Sequence, residues 1–291
     1  MPTPTVHVII PAHDEEALLG ATLRTLLTGA PAGALRVVVV ANGCHDTTAA
    51  IARAFAGVRV VELADASKAA ALAAGARTAG DLSRVHLDAD CSISGRDVLR
   101  LVRALEEPGV LATAPGRDLQ TTGCSWWVRG YYRVWERLPG VRDGLYGRGV
   151  IALSPEAQRR IDHLPPVLSD DLAISEAFTP DERRVVREAV VTIRVPRTTG
   201  DLIRRRVRVA TGNREADRLG LRTPGSGTSV RALVAIGRYD ARLVPQIPVF
   251  LVTTLVARAL AWNQVRRAER RGVAPAWLRD ESSRLTDRIA G

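Results

Sequence analysis

The sequence has little lysine: of its 41 basic residues only Lys68 is a lysine, and the rest are arginines. The formal net charge is nevertheless +10. Alanine and arginine are abundant along the whole chain, so the charge could reflect codon usage and does not by itself predict nucleic-acid binding. We expect no nucleic-acid partner. A basic surface of this kind suits anionic lipid headgroups or phosphorylated substrates equally well.

Cysteine is also scarce. The three cysteines, Cys44, Cys91 and Cys124, cannot all form pairs with one another and lack the spacing of a metal-binding motif. This pattern argues against a disulfide scaffold and a zinc site, and it favours a reducing cytosol. The first ten residues lack the basic and long apolar regions of a signal peptide, so we expect no export.

One apolar stretch falls short of the roughly 20 residues that a helix needs to span a bilayer. It runs from 243 to 257, LVPQIPVFLVTTLVA, and contains two prolines and a glutamine. For 243–262 three interpretations stay open: embedded in a membrane, bound to a membrane surface, or buried in the core. The basic residues that follow favour an anionic membrane surface; they are Arg266, Arg267, Arg270 and Arg271. The expected localisation is cytoplasmic, with peripheral binding to the inner face of the cell membrane as one alternative.

The first hundred residues alternate between strand-like and helix-like patterns. Runs rich in β-branched residues predict strands at 6–12, 35–41, 58–63 and 84–89, with helical sequence between them at 15–28, 46–55 and 68–78. Near-continuous apolar strands separated by helices of this length are typical of βαβ units. The sequence therefore predicts an α/β fold, a mostly parallel sheet flanked by helices.

Polar and charged residues follow each of these four strands. The segments are PAHDEE, ANGCHDTT, ADASK and DADCS, in chain order. In sheets of this type ligands bind beyond the carboxyl ends of the strands. We therefore expect the four segments to meet at one edge of the sheet and to form a ligand site there.

Asp88 and Asp90 place two like charges one small residue apart at the end of a strand. Side chains at i and i+2 of a strand share a face, so both carboxylates could reach one divalent cation. Mg²⁺ and Mn²⁺ prefer oxygen ligands and commonly complete their shell with water and substrate phosphate. A solvated turn would have the same composition, but the position at a strand end favours the metal site.

Asp170 and Asp171 follow Ser169 and precede an apolar run. This pattern is typical of a helix start, because serine caps free N–H groups and carboxylates complement the helix dipole. It also suits a general base that removes a hydroxyl proton. Both interpretations stay open, as they do for Lys68, which is either an ordinary surface lysine or a compact charge with a specific role.

Two further segments carry groups suited to a substrate site. Arg205, Arg206 and Arg208 could hold phosphate by bidentate hydrogen bonds, or they could form a solvated or lipid-contacting face. Residues 125–140 concentrate aromatic side chains, which could pack a helix onto the core, form an acceptor platform or contact a membrane interface. The members of this cluster are Trp126, Trp127, Tyr131, Tyr132 and Trp135.

Seven segments match a family pattern in order: VIIPAHDEEALLGATL, VVVVANGCHDTTAAIA, SKAAALAAGA, LDADCSI, GRGVIALS, SDDLAIS and RRRVRVATGN. Together they cover residues 5–215 and resemble the family-two, GT-A-type nucleotide-sugar glycosyltransferases. The resemblance implies a GT-A-type (Rossmann-like) fold with a helical C-terminal extension here, a nucleoside-diphosphate-sugar donor, and Mg²⁺ or Mn²⁺ as cofactor.

The resemblance also implies roles for single residues. The donor pocket would comprise Pro11, Asp14, Glu16, Asn42, Asp46, Lys68 and Asp88. Asp88 and Asp90 match the Asp-x-Asp metal motif, and Asp171, with Asp170 beside it, matches the catalytic base. Arg205 and Arg208 match the Gln-x-x-Arg-Trp motif that closes over the diphosphate.

Several positions depart from the family pattern. The first loop has Asp14-Glu15 where Asn-Glu is usual, and the second has Ala41-Asn42 where Asp-Asp is usual, so uracil is not implied as the base. Arg205 stands in the place of the glutamine. Val209 replaces the tryptophan, which removes an aromatic wall and argues against processive polymer synthesis.

We expect a metal-dependent inverting glycosyltransferase of the hexosyltransferase class, which moves a sugar to an acceptor hydroxyl. A nucleotidyltransferase and a non-catalytic membrane-associated scaffold are the alternatives. The sugar, nucleotide and acceptor stay open, although the aromatic and basic segments favour a lipid-linked or membrane-proximal acceptor. Residues 1–115 are predicted to bind the nucleotide sugar, 116–222 to form the acceptor and catalytic half of the same domain, and 223–291 to form a helical region that could associate with a membrane.

Overall fold

A mixed sheet with helices on both faces organises residues 6–80, 82–165, 170–222 and 228–271, which the computed structural model describes. The strands are β1 (Val6–Ala12), β2 (Leu35–Asn42), β3 (Val58–Leu63), β4 (Arg84–Leu87), β5 (Cys91–Ser92), β6 (Ala112–Gln120), β7 (Val150–Leu153) and β8 (Arg183–Arg194). The helices are α1 (Leu19–Leu27), α2 (Thr48–Arg53), α3 (Lys68–Ala76), α4 (Gly95–Ala104), α5 (Trp126–Trp135), α6 (Pro139–Asp143), α7 (Pro155–Ile161), α8 (Asp170–Glu176), α9 (Thr199–Arg218), α10 (Val230–Tyr239) and α11 (Ile247–Arg271).

The strands are ordered β3-β2-β1-β4-β7-β6-β8-β5 across the sheet. Of the seven pairings described, four are parallel: β1 with β2, β1 with β4, β2 with β3, and β6 with β8. The pairings of β7 with β4 and β6, and of β5 with β8, are antiparallel. The predicted mostly parallel α/β sheet is confirmed, and each antiparallel pairing includes β7 or β8 from the second half of the chain, where the sequence pattern is less regular.

The central strands are apolar on both faces because helices cover both faces. Every residue of β1 is buried. Val8 and Ile10 join the cluster that contains Leu19 and Leu23 of α1, whereas Ile9 between them joins the cluster that contains Ala71 of α3. Alternate side chains of a strand point to opposite faces, so this division follows directly from the run of branched residues. Burial of each such side chain stabilises the fold by about 1.5–3 kcal/mol.

Helix boundaries differ from the predicted ones where loop residues are used for other contacts. The first helix begins at Leu19 rather than at Glu15, because the Glu15 amide donates to Thr48 Oγ1 at 2.8 Å and holds the preceding loop against the second one. α8 begins at Asp170. The predicted cap at Ser169 lies outside the described residues.

The helical C-terminal region is confirmed over its described part. A 3₁₀ segment, Ala241–Gln246, joins α10 to α11, and α11 packs against α5 and α9. The Phe250 ring stacks on Tyr131 with centroids 5.2 Å apart, and Trp127 Nε1 donates to Thr253 Oγ1 at 2.8 Å. Residues 223–227, at the start of the predicted C-terminal region, lie outside the described residues. The boundary at 115/116 falls inside β6, and the roles assigned to the two halves remain predictions.

Candidate active site

A cavity of about 1270 Å³ lies at the carboxyl ends of β1, β2 and β4. This volume exceeds that of most small-molecule sites, so the cavity has room for two substrates. The predicted site residues that line it are Pro11, Asn42, Lys68, Asp88, Asp90, Asp171, Arg205 and Arg208. Three others, Asp14, Glu16 and Asp46, do not line it. The side chain of Asp170 lies outside the described part of the chain.

Asp88 and Asp90 flank a tight turn between β4 and β5. The Cys91 amide donates to the Asp88 carbonyl at 3.1 Å, and Thr22 Oγ1 of α1 donates to the Ala89 carbonyl at 2.8 Å. The turn is therefore tied to the helix behind it. One potential ligand atom from each of Asp88, Asp90 and Cys91 lies within 4.8 Å of the others.

The chemistry of this group of atoms suits a hard divalent cation. Burial raises the pKa of the Cys91 thiol well above its ordinary value, and the nearby Asp90 and Asp88 carboxylates raise it further. The thiol is therefore neutral at neutral pH. Two carboxylates are left as the charged donors, and carboxylate oxygen is the donor that Mg²⁺ and Mn²⁺ prefer.

Lys68 contacts this acidic turn directly. Its Nζ lies 2.7 Å from Asp88 Oδ1, and both side chains are partly exposed to the cavity. Ser67 caps α3 by accepting a hydrogen bond from the Ala70 amide at 3.2 Å, which sets the first helical residue, Lys68, at the end of β3. The one lysine of the chain therefore faces the carboxylate that is predicted to bind metal and nucleotide.

Asp171 is held by two backbone amides. Its Oδ2 accepts from the Gly147 amide at 2.7 Å, and its Oδ1 accepts from the Leu172 amide at 2.8 Å. Two residues further along, the Gly149 carbonyl accepts from the Asp88 amide at 2.7 Å. The segment 147–149 therefore connects the Asp171 carboxylate to the acidic turn, and its ends are no more than about 7 Å apart even when fully extended.

Glycine is required at the end of this segment that faces the turn. A Cβ at residue 149 would lie 2.3 Å from Cys91 Sγ and 3.2 Å from Asp88 Oδ2, and the backbone has φ +66°. Both the space and the conformation favour glycine. The close approach to Cys91 and the positive φ therefore explain the second glycine of the motif GRGVIALS.

Arg148, between the two glycines, does not line the cavity but supports the segment that does, and the sequence did not predict this contribution. Its guanidinium is buried and donates to four backbone carbonyls, those of Gly144, Pro115, Val141 and Arg142. Burial, followed by the nearby charge of Arg117, lowers its pKa to about 9. Arg148 stays charged at neutral pH and fixes the segment to β6 and α6. Its only sequence signal was its place inside GRGVIALS.

A second arginine, Arg117, is half-buried and lies close by. Burial lowers the pKa of Arg117 to about 10, whereas Glu136, Tyr146 and Asp171 act in the opposite direction. The Arg117 guanidinium lies 4.8 Å from the centre of the Trp135 ring. The positive charge of Arg117 therefore interacts with Asp171.

The acidic residues of the first two loops hold these loops together. Asp14 accepts from the His45 amide at 2.7 Å, and Glu16 accepts from the Thr47 amide at 3.1 Å and from Thr47 Oγ1 at 2.8 Å. Asp46 accepts from the Thr48 amide at 2.9 Å and the Glu16 amide at 3.1 Å. Burial alone would raise the pKa of Asp46, but its hydrogen bonds outweigh this effect and lower the pKa. These hydrogen bonds indicate that Asp14, Glu16 and Asp46 stabilise the two loops against each other.

The side-chain amide of Asn42 links the carboxyl ends of β1 and β2. The side chain is buried, and Nδ2 donates to the Ala12 carbonyl at 2.8 Å and to the Val40 carbonyl at 3.3 Å. A carboxylate at this position could not donate to either. Glu15, which was not among the predicted site residues, is buried and lines the cavity. Its signal was the Asp14-Glu15 match to the family's Asn-Glu pair.

α9 and α5 form the far wall of the cavity. Arg205 and Arg208 are three residues apart on α9 and line the cavity, as does Arg206, whose guanidinium lies 5.6 Å from the centre of the Tyr131 ring. The aromatic cluster lies on helix α5, and all of its members except Trp126, which is 65% exposed, pack on the core. Tyr132 and Trp135 also line the cavity, so this cluster supplies both core and wall.

Comparison with known proteins identifies the family. The model of Glycosyl transferase family 2 matches residues 7–153, half of the chain, and the chain belongs to this family. No curated protein matches the sequence.

Two solved structures share the fold at low sequence identity. One is a mannosyltransferase from Pyrobaculum calidifontis in complex with GDP-Man and Mn²⁺; it is 22% identical, has a TM-score of 0.57, and the match covers 91% of this chain and 81% of that one. The other is the glucosyl-3-phosphoglycerate synthase of Mycobacterium tuberculosis in complex with Mn²⁺, UDP-Glc and phosphoglyceric acid; it is 23% identical, has a TM-score of 0.53, and covers 77% and 83%. The expected GT-A-type glycosyltransferase fold is confirmed.

Proposed function

We propose that this glycosyltransferase transfers a hexosyl group from a nucleoside-diphosphate donor to an acceptor hydroxyl in one inverting displacement, with Mn²⁺ or Mg²⁺ as cofactor. Family membership supports the transferase class. The solved structures with this fold contain Mn²⁺ together with GDP-Man or UDP-Glc, which supports a donor of the same chemical type.

The observation that carries the proposal is the connection between the two acidic groups. Gly147 holds the Asp171 carboxylate, and Gly149 holds the backbone of Asp88, so a single three-residue segment joins both to one cavity wall. A base and a leaving-group site must lie on opposite sides of one sugar ring. The shared segment supports this arrangement because it limits the separation of the two groups.

In the proposed reaction a bond forms between the acceptor oxygen and the anomeric carbon, while the bond from that carbon to the donor phosphate oxygen breaks. The acceptor proton passes to the Asp171 carboxylate, and the Gly147 and Leu172 amides orient that carboxylate. General-base assistance of this type contributes about 10²- to 10⁴-fold to the rate.

The remaining residues act on the nucleoside diphosphate that leaves. Asp88 and Asp90 would hold the divalent cation, which when bound stabilises negative charge on the leaving phosphates. Arg205 and Arg208 line the same cavity and supply guanidinium donors suited to phosphate. Lys68 is expected to turn from Asp88 to phosphate when the donor binds. Pro11 and Asn42 line the nucleoside end of the cavity, and Asp14, Glu16 and Asp46 brace the loops around it.

The test is release of nucleoside diphosphate from UDP-Glc and GDP-Man with Mn²⁺, with water as the acceptor, for wild type and Asp171→Asn. We expect the substitution to reduce release by about 10²-fold or more, since the amide cannot take a proton. Donor binding, measured by calorimetry, should be unchanged. The matched control is Asp181→Asn, the same chemical change at an exposed residue before β8.

Three results would overturn the proposal. Unchanged release from Asp171→Asn would show that Asp171 is not the base. Pyrophosphate production from a nucleoside triphosphate and a sugar phosphate would identify a nucleotidyltransferase. Absence of nucleoside diphosphate release from every common donor with Mn²⁺ would favour a non-catalytic scaffold.

A further inference from the structure

The outer half of α11 is apolar and exposed. Among the described residues, Ala241–Arg267 is the one helical stretch long and apolar enough to cross a membrane by length and composition alone. Six large apolar side chains of α11 have between 38% and 61% of their surface exposed; they are Leu251, Val252, Leu255, Val256, Leu260 and Trp262. At 3.6 residues per turn they all fall on one half of the helix. Exposed apolar patches of this kind mark interaction surfaces.

The inner half of the same helix is fixed to the protein. Phe250, Thr253, Ala257, Ala261 and Val265 are buried at intervals of three or four residues. They contact α5 and α9 through the ring stacking and the Trp127 hydrogen bond described above and through the cluster around Val207. A helix that crossed a bilayer would have to lose these contacts. The structure therefore favours a helix that lies along a surface with its outer half exposed.

Basic and aromatic groups terminate the apolar surface. Trp262 ends it, and the Arg266 guanidinium lies 4.3 Å from the centre of the Trp262 ring. Arg266, Arg267 and Arg270 are exposed and fall on the same half of the helix one and two turns further on. Tryptophan is enriched at membrane interfaces, and arginine there interacts with anionic headgroups.

We propose that the outer face of α11, from Leu251 to Arg270, docks on an anionic lipid bilayer, with the helix axis in the plane of the interface. The apolar side chains enter the boundary between headgroups and acyl chains, and the three arginines contact lipid phosphates. This arrangement keeps the inner half of the helix packed on the protein and removes the exposed apolar outer half from water.

The docking would bring the cavity close to the membrane. Phe250, Thr254, Ala257 and Arg258 of α11 line the cavity, so a single helix separates it from the proposed bilayer surface. A substrate anchored in the membrane would then reach the cavity without leaving the lipid. The docking itself does not depend on the proposed chemistry and is measured separately from it.

The test is co-sedimentation of the full chain with vesicles of phosphatidylcholine alone and of phosphatidylcholine mixed with phosphatidylglycerol. We expect binding to the mixed vesicles that weakens with added salt. The double variant Leu251→Glu/Leu255→Glu should bind more than about tenfold more weakly, because each leucine no longer enters the lipid. The matched control is Val190→Glu/Leu219→Glu, which adds two acids at apolar residues exposed elsewhere.

A second set of variants tests the arginines. Arg266→Gln/Arg267→Gln/Arg270→Gln should weaken binding to the mixed vesicles by about 100-fold, at about 1 kcal/mol per arginine. Arg36→Gln/Arg59→Gln/Arg159→Gln removes the same charge from exposed residues elsewhere and should retain binding. Thermal unfolding of each variant establishes that it is folded.

The proposal is overturned if the wild type does not bind the mixed vesicles at low salt, or if the two acidic residues on α11 leave binding unchanged. It is also overturned if sedimentation velocity shows a dimer that Leu251→Glu/Leu255→Glu dissociates. That result would identify a second copy of the chain as the occupant of this face.

Discussion

At the scale of single residues, the contact between Lys68 and Asp88 lies at the proposed metal site. The ammonium lies 2.7 Å from the carboxylate and occupies a position that a divalent cation would contest. Replacing Lys68 by Met removes this competitor. We expect Mn²⁺ alone to bind about three- to tenfold more tightly, which corresponds to an ion pair of about 1 kcal/mol.

The same variant should bind GDP in the presence of Mn²⁺ more weakly than the wild type, because a cation near the phosphates is lost. Calorimetric titrations with Mn²⁺ and then with GDP measure the two effects. Lys68→Arg keeps the charge, so it should neither raise the affinity for Mn²⁺ nor lower the affinity for GDP. Equal Mn²⁺ affinity in Lys68→Met and wild type would show that the Lys68–Asp88 contact does not compete with the metal.

Asn42 gives a second test at this scale. It stands where the family pattern has an acid, yet its amide donates to the Ala12 and Val40 carbonyls inside the sheet edge. Asn42→Asp would bury a carboxylate against two carbonyl oxygens. We expect it to lower the free energy of unfolding by about 2–4 kcal/mol, measured by urea denaturation.

The control for this variant is Asn263→Asp, the same change at an exposed position on α11. It should alter stability by less than about 0.5 kcal/mol. If Asn42→Asp were as stable as wild type and bound nucleotide more tightly, residue 42 would instead contact the donor base as an acid does in the family pattern.

At the scale of elements, the segment 147–149 determines the geometry of the site. Gly149→Ala would place a methyl group 2.3 Å from Cys91 Sγ, so the acidic turn must move. We expect this variant to lose Mn²⁺-dependent GDP binding by at least about tenfold. Gly123→Ala is the matched control, because it has a similar φ of +76° and no atom within 4 Å of the added Cβ.

Removal of the clash provides a further check. The double variant Gly149→Ala/Cys91→Ala lacks the sulfur atom and should recover part of the binding. If Gly123→Ala impaired binding as much as Gly149→Ala did, backbone strain alone would explain the loss, and the close approach to the acidic turn would have no special role.

A pH-dependent contact joins α7 to the start of β8. Glu182 accepts from Arg160 Nη1 and Nη2 at 2.9 Å each and from the Thr179 amide at 2.9 Å. The hydrogen bonds from Arg160 and Thr179 lower the Glu182 pKa to about 2. The folded pKa is depressed, so the stabilisation is complete above the ordinary value of 4.5 and is lost as pH falls toward 2.

Glu182→Gln should therefore reduce the free energy of unfolding by about 1 kcal/mol at pH 7, a modest value because the pair is partly exposed to solvent. The difference from wild type should shrink in urea denaturation curves recorded at successively lower pH. Glu188→Gln, an exposed acid on β8, is the control. A difference that stayed constant with pH would exclude the ion pair as its cause.

The regular elements of the first hundred residues could be predicted from the sequence, and their less regular neighbours could not. The bounds of β1 and β3 match their predicted ones, because both segments are rich in β-branched residues, which favour strands. β5 has only two residues and pairs with β8 about a hundred positions away. Such a short strand has no periodicity of its own, so only tertiary contacts define it.

At the scale of the whole molecule, the convergence of the strand ends could also be predicted. Parallel strands bring their carboxyl ends to one edge, and Asn42, Lys68 and Asp88 line one cavity there. The cavity-lining residues of the second half of the chain, Asp171, Arg205 and Arg208, could be predicted only from the family resemblance. The contribution of Arg148 could not be predicted, because its guanidinium donates to four backbone carbonyls that come together only in the folded chain.

The central claim is that Asp88 and Asp90 hold a divalent cation that the nucleotide requires. Calorimetric titration of GDP and UDP into wild type and Asp90→Asn, each with Mn²⁺ and with EDTA, tests it most directly. The account predicts that at least one nucleotide binds wild type with Mn²⁺, and that either EDTA or the substitution weakens this binding by about tenfold or more. Equal nucleotide affinity with Mn²⁺ and with EDTA would contradict the account.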